Sequence, residues 1–259
     1  MYFEELMDNY QTYLLVFARV MGIFVYNPIF ARKNIPSYVK IGASIGLTLV
    51  IASNLTGSYH VDYDSLTLLA IAFVREGIIG FILGFLTQMF LSALVFGGEM
   101  MDNQSGLGMA KIYDAGSGIQ MPIFGTITTY MFLIYFFVTN CHLTYIKIFA
   151  ISYDFIPIEY GKLNPQIFMV IVEYFGQVLT LAIKLALPLI VAELILEFSM
   201  GILMKAVPQV QVMQVNIQLK LIYGLFILLV IANPMSDFIE KYMRIMIDSL
   251  TGVLPMIAG

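Results

Sequence analysis

Apolar residues come in long blocks separated by short polar stretches, and the block lengths predict helices rather than strands. The blocks cover about 11–31, 39–54, 66–96, 123–138, 166–204 and 219–232. An apolar helix needs about 20 residues to cross a bilayer, so these blocks read as membrane segments. Two of them, 66–96 and 166–204, are too long for one upright span, and 39–54 is short. Asn27-Pro28 and Asn233-Pro234 are expected to end the helices they follow, because proline cannot continue the backbone ladder. Residues 237–255 carry Glu240, Lys241, Arg244 and Asp248 between apolar positions and predict an amphipathic segment. The pattern as a whole predicts an all-α multi-helix membrane or membrane-complex protein. It reads as a single domain over 1–259, with broken helices or helical hairpins.

Polar residues inside the blocks are few, and they fall at helical spacing. Arg19 shares one side of the first block with Thr12, Gly22 and Tyr26. An arginine at that depth costs about 3 kcal/mol unless it meets water or a partner. Glu76, Gly80, Gly84, Thr87 and Gln88 share a small, polar face of the third block. Glu173, Gln177, Thr180 and Lys184 form a stripe in the fifth, with Pro188 expected to kink the helix one turn on. Beyond it, Glu193 and Glu197 sit four apart on one face. Arg19, Glu76, Glu99, Lys184, Glu193 and Glu197 are therefore expected to be hydrated or to face partner chains. Gly42 and Gly46, and likewise Gly80 and Gly84, have the spacing that lets helix backbones approach closely.

The stretch 97–122 differs from all the blocks. Gly97, Gly98, Gly106, Gly108, Gly116 and Gly118 disfavour helix there. Leu107, Met109, Ile112, Tyr113, Ile119 and Met121 give it more apolar surface than a solvated linker carries. The combination predicts a loop that lies against an apolar surface and can leave it. The bland alternative is an interhelical loop packed on its own protein. Residues 205–218, with Pro208 and glutamines at 209, 211, 214 and 218, form a second polar crossing.

Composition sharpens the class. The 259 residues are 60% hydrophobic with a mean hydropathy of +0.88, and only 12% are charged. Soluble domains carry roughly a quarter charged residues. Thirteen Lys and Arg stand against 17 acids, a net charge of −4, which gives no basic surface for nucleic acid. With one cysteine, Cys141, and two histidines, His60 and His142, no metal-binding spacing exists. No P-loop, nucleophile elbow, His-Glu-x-x-His or paired-cysteine motif occurs, so neither an enzyme nor a cofactor is expected. Arg32, Lys33 and Lys40 make the best cytoplasmic loop, but the remaining basic residues do not settle an orientation. Glu193, Glu197 and Lys184 keep a small-molecule or ion transporter open as an alternative. The sequence shows no internal repeat of the sort many carriers have.

Several blocks of residues resemble the FliR family, a component of the flagellar type III export gate. Asn27-Pro28-Ile29-Phe30, Ile35-Pro36 and Lys40-Ile41-Gly42 are similar to its first block. Gly98-Glu99, Gln104-Ser105-Gly106-Leu107, Asp114 and Gln120-Met121-Pro122 resemble its central loop. Asn140-Cys141-His142-Leu143 with Phe155-Ile156-Pro157-Ile158 resembles the next block. Leu185-Ala186-Leu187-Pro188 and Gly201-Ile202-Leu203-Met204 with Val207-Pro208-Gln209 resemble the last. The chain departs from that pattern at Asp114-Ala115, Asn216, Gln218 and Asp102. The resemblance implies one copy assembled with FliP-like and FliQ-like subunits, and with an FlhB-like subunit, in the bacterial inner membrane at the flagellar basal body. It implies that unfolded flagellar proteins pass through the complex, and that Gly106 to Pro122 projects into the passage as a plug. The equivalent subunit of a virulence-type secretion system is the nearest alternative.

Overall fold

The polar breaks divide the chain into seven helices and one two-stranded hairpin among the described residues. The computed structural model describes residues 9–30, 32, 35–55, 63, 65–108, 111–114, 119–158, 164–206 and 212–258. At 111–114, 119, 212–214, 217 and 258 it describes the backbone alone. Helices α1 (Tyr10–Tyr26), α2 (Ser37–Leu55) and α3 (Leu66–Gln104) precede strands β1 (Lys111–Asp114) and β2 (Ile119–Pro122). Helices α4 (Ile123–Val138), α5 (Cys141–Phe155), α6 (Ile167–Ala206) and α7 (Val212–Ala258) follow. Among the described residues the protein is all-α apart from those eight strand residues.

Among the described residues, four stretches are long and apolar enough to cross a membrane: Ser37–Leu55, Leu66–Gln104, Ile167–Ala206 and Gln218–Ile257. The pair α4 and α5 makes a fifth if its 75° bend lies within one span. That bend is built on Asn140, which has φ 57°, a conformation asparagine tolerates better than most residues. At 1.5 Å per residue α3 and α6 are each about 60 Å long, roughly twice the hydrocarbon thickness. The excess length predicted from blocks three and five is therefore real helix rather than two shorter elements.

Three expectations need correction. Helix α3 does not stop at Gly97 but continues to Gln104. The glycines stay helical because they serve packing: a Cβ on Gly97 would stand 2.9 Å from the Ala182 carbonyl oxygen, and one on Gly98 would overlap Gly125. The rest of 97–122 is not wholly irregular, since residues 111–114 and 119–122 pair as antiparallel strands. Finally, α7 does not end at Asn233-Pro234 but runs 47 residues through Pro234 and on across 237–255. Pro188 lies inside helix α6, where block five placed it. A proline costs a helix about 3 kcal/mol, so burial elsewhere along these helices must outweigh it.

The chain forms two compact units. The first comprises Met1–Met89, Asn140–Tyr174 and Met246–Gly259. Its core joins Leu15, Val16 and Ile23 of α1, Ile79 and Leu83 of α3, and Tyr145, Phe149 and Tyr153 of α5. Asn27 is buried just past α1, and its Oδ1 accepts from the Ile29 and Phe30 backbone N–H groups at 2.8 and 3.2 Å. Its Nδ2 donates to the Tyr145 hydroxyl, which also bonds Thr87 Oγ1 at 2.7 Å. The Asn-Pro break is thus a fixed turn rather than a frayed helix end.

The second unit comprises Phe90–Thr139 and Phe175–Ile245. Tyr242 is its pivot. Its hydroxyl donates to the Phe90 carbonyl at 2.6 Å, and its ring meets Phe90 and Phe132 edge-on at centroid distances of 5.5 and 6.4 Å.

Candidate functional site

In the first unit, Arg19 and Glu76 make a salt bridge of 2.6 Å, and neither side chain is exposed. Arg19 Nη1 donates to Ser152 Oγ at 3.1 Å and Nη2 to the Ile156 carbonyl at 2.8 Å. Its guanidinium also lies 4.0 Å from the centre of the Tyr153 ring. Arg75 donates to the other Glu76 oxygen at 3.0 Å and to the Ile158 carbonyl. The expected hydrated or partner-facing setting of Arg19 and Glu76 is therefore replaced by mutual burial. Both oxygens of Glu76 and all three nitrogens of Arg19 are used. A buried ion pair persists only with such complete hydrogen bonding.

Glycines allow this pair to form. A Cβ on Gly80 would overlap the Arg19 carbonyl, and one on Gly84 would lie 2.8 Å from the Ile23 carbonyl oxygen. On the facing helix, a Cβ on Gly22 would lie 2.9 Å from the Phe81 nitrogen. The backbones of α1 and α3 touch here. Gly42 and Gly46 differ, because nothing lies within 4 Å of a Cβ at either, and both are exposed. Whatever their spacing serves, it does not pack a described helix of this chain.

In the second unit, the hairpin is rooted between the last turn of α3 and the first turn of α4. Gly106 takes φ +78°, and the Leu107 N–H bonds the Asp102 carbonyl at 2.8 Å, a glycine-terminated helix end. Buried Asp102 accepts the Phe124 backbone N–H at 3.2 Å, which satisfies one of the open donors starting α4. Gly98 lies against Gly125 a turn away. The two helix ends are thus tied by a side chain and by backbone contact. Beyond the root, Lys111 faces Pro122, Ile112 faces Met121, Tyr113 faces Gln120 and Asp114 faces Ile119.

The loop residues singled out from the sequence divide between root and tip. Leu107 and Gly108 are half-buried, Gly106 is exposed, and Met121 is buried at 4% exposure as part of the root. Ile112, Tyr113 and Ile119 are placed by the strand register alone. Met109, Gly116 and Gly118 lie outside the described residues.

A second polar cluster stands beside the root. Lys220 of α7 pairs with Glu197 of α6 and donates to the Gln104 carbonyl at 3.4 Å. Gln104 Nε2 returns a 3.4 Å hydrogen bond to Glu197. One turn from Glu197, Glu193 has no exposed surface, and neither of its oxygens has a hydrogen-bond partner. Gly224 makes room for it: a Cβ there would stand 2.9 Å from Glu193 Oε1 and 3.0 Å from Ser105 Oγ.

The six charges named from the sequence thus have different settings. Arg19 and Glu76 are paired, Glu193 is sealed, and Glu197 bridges to Lys220. Lys184 is exposed with Glu173, Gln177 and Thr180, while Glu99 is half-buried on α3. Among the described residues, no group of three His, Cys, Asp or Glu side chains is arranged to hold a metal ion. Sequence reasoning missed Lys220 and Gly224 as parts of a site, and it named Ser105 only within a block of family resemblance. Its one available signal was the flagged departure at Asp102, which here ties the hairpin to α4.

Comparison with known proteins places this arrangement. The family model "Bacterial export proteins, family 1" matches residues 10–246. The flagellar biosynthetic protein FliR of Bacillus subtilis is 24% identical over 257 residues, covering 98% of each chain. FliR of Escherichia coli K12 is 27% identical over 251 residues, covering 97% of this chain and 95% of its own. The Yop proteins translocation protein T of Yersinia pestis is 24% identical over 249 residues, covering 95% of both. A family match from α1 to within α7, with full-length relatives on either side, makes this chain a member of bacterial export proteins family 1, the FliR family.

Proposed function

We propose that this chain is a core subunit of a flagellar type III protein export gate, and that its hairpin segment closes the export passage. The observation that carries the reading is a hairpin fixed at its base by Gly98, Asp102 and Phe124 and preceded by a glycine-rich exit from α3. A segment anchored at both ends can be pushed aside by a passing unfolded chain and return. The apolar residues chosen from the sequence, Leu107, Met109, Ile112, Tyr113, Ile119 and, at the root, Met121, are the ones this reading gives to resealing, and Gly106, Gly108, Gly116 and Gly118 are the ones it gives to displacement. Each such contact stabilises the closed form by roughly 1.5–3 kcal/mol at most, which substrate binding is able to offset. The partners are FliP-like, FliQ-like and FlhB-like subunits in the bacterial inner membrane. The exposed Glu173–Lys184 stripe and the open Gly42/Gly46 face suit such neighbours better than lipid.

Deletion of Gly106–Gly118 is expected to leave the complex assembled and to make the inner membrane leaky to ions and small dyes. Met109→Ala or Ile112→Ala should leak less than the deletion. Dye uptake in cells making the complete complex measures it, and an assembled but tight deletion complex would place the gate elsewhere. The match to a Yop translocation protein supports the virulence-type alternative. Restoring motility to a flagellated strain lacking its own relative separates the two.

A further inference from the structure

The buried carboxylate of Glu193 is unused by the gate described above, and it stands near Lys220, which bonds the root of the hairpin. Glu197 faces Lys220 and Glu193 faces Gly224, so α6 and α7 run antiparallel here with the four residues one turn apart on each helix. Lys220 therefore lies within one turn, about 6 Å, of a second carboxylate. Its flexible four-carbon stem has that reach. In the structure Lys220 takes the partly exposed Glu197 and the Gln104 carbonyl, while Glu193 is sealed with both oxygens unpartnered. A carboxylate left that way is costly, and a cation within reach relieves the cost.

We propose that Lys220 has two seats. In the first it sits on Glu197 and the Gln104 carbonyl, holding the last turn of α3 against α7. In the second it sits on Glu193 beside Gly224, and Gln104 is released. Glu193 is then a positioning residue for the displaced hairpin, and Glu197 one for the closed hairpin. Gly224 is required because any side chain there would fill the second seat. The inference rests on the reading of the hairpin as the gate.

The test uses the complete complex in cells, with ion leak and export of a flagellar substrate read together. Glu193→Gln keeps the shape and removes the second seat, so export should fall on the order of tenfold while the membrane stays tight. Glu197→Gln removes the first seat, so leak should rise on the order of severalfold with export retained. A merely structural role would move both variants the same way, and that outcome overturns the exchange. Where Glu197→Gln lowers complex yield, Lys220→Arg carries the test instead. Its planar fork favours the exposed Glu197 carboxylate, so it should resemble Glu193→Gln, and a leaky Lys220→Arg complex overturns the exchange. The Gly106–Gly118 deletion is measured alongside. If it stays tight, the gate reading fails; if it leaks while the two glutamine variants agree, only the exchange fails.

Discussion

The two units solve the same problem in opposite ways. Each buries charge within helices apolar enough to enter a membrane. In the first unit Arg19, Arg75 and Glu76 bond one another, Ser152 and two backbone carbonyls, and glycines bring the helices into backbone contact around them. In the second, Glu193 is as deeply buried as Glu76 yet has no hydrogen bond, while the lysine nearby bonds a different acid. A satisfied cluster gives one arrangement. An unsatisfied one is costly to hold, and the exchange proposed above would draw on that cost.

The harshest way to break the comparison is Gly80→Leu. Its Cβ would overlap the Arg19 carbonyl, so α1 and α3 must separate and the ion pair must open. Loss of the folded chain is expected, read as absence from membranes by immunoblot. Next comes Glu76→Gln, which leaves Arg19 buried without its counter-charge and should cost about 3–5 kcal/mol. The same change at Glu193 removes an unpaired charge and should leave thermal stability level or higher. Melting temperatures of the two purified complexes compare them directly, and equal losses would erase the distinction between the clusters. Gly224→Ala crowds Glu193 and Ser105 and should cost about 1–3 kcal/mol, in the range of overpacking. Gly201→Ala, on the same pair of helices but with nothing within 4 Å, should raise stability by up to about 1 kcal/mol. The smallest effect belongs to Arg244→Ala, whose pair with Glu240 is exposed and should be worth about 0.5 kcal/mol or less.

How much of this was legible in the sequence depends on the distance between partners along the chain. Local periodicity located the long apolar helices and put Glu76, Gly80 and Gly84 on one face. It also marked the break after Tyr26 and the special stretch after Gly98. It did not tell a glycine that ends a helix from one that lets two helices touch, so Gly97 and Gly98 were read as loop. Nor did it show that Pro234 would be carried inside a helix, because the packing that outweighs a proline comes from residues far away. The same holds for the charges. Arg19 meets Ser152 and Ile156 more than 130 positions on, and Lys220 meets Gln104 at a separation of 116. Spacing within a helix carries no trace of such pairs.

The clamp formed by Gly98, Gly125 and Asp102 also sets a length. With both ends of the segment from Ser105 to Pro122 held, the gate proposed above would swing as a visor rather than slide as a piston. Each arm of about nine residues extends no further than roughly 30 Å from its anchor. On that proposal the widest opening would be a matter of tether length, fixed by the number of residues between two pinned points. Its composition would govern how readily such a visor swings and how well it seats, but not how far it reaches.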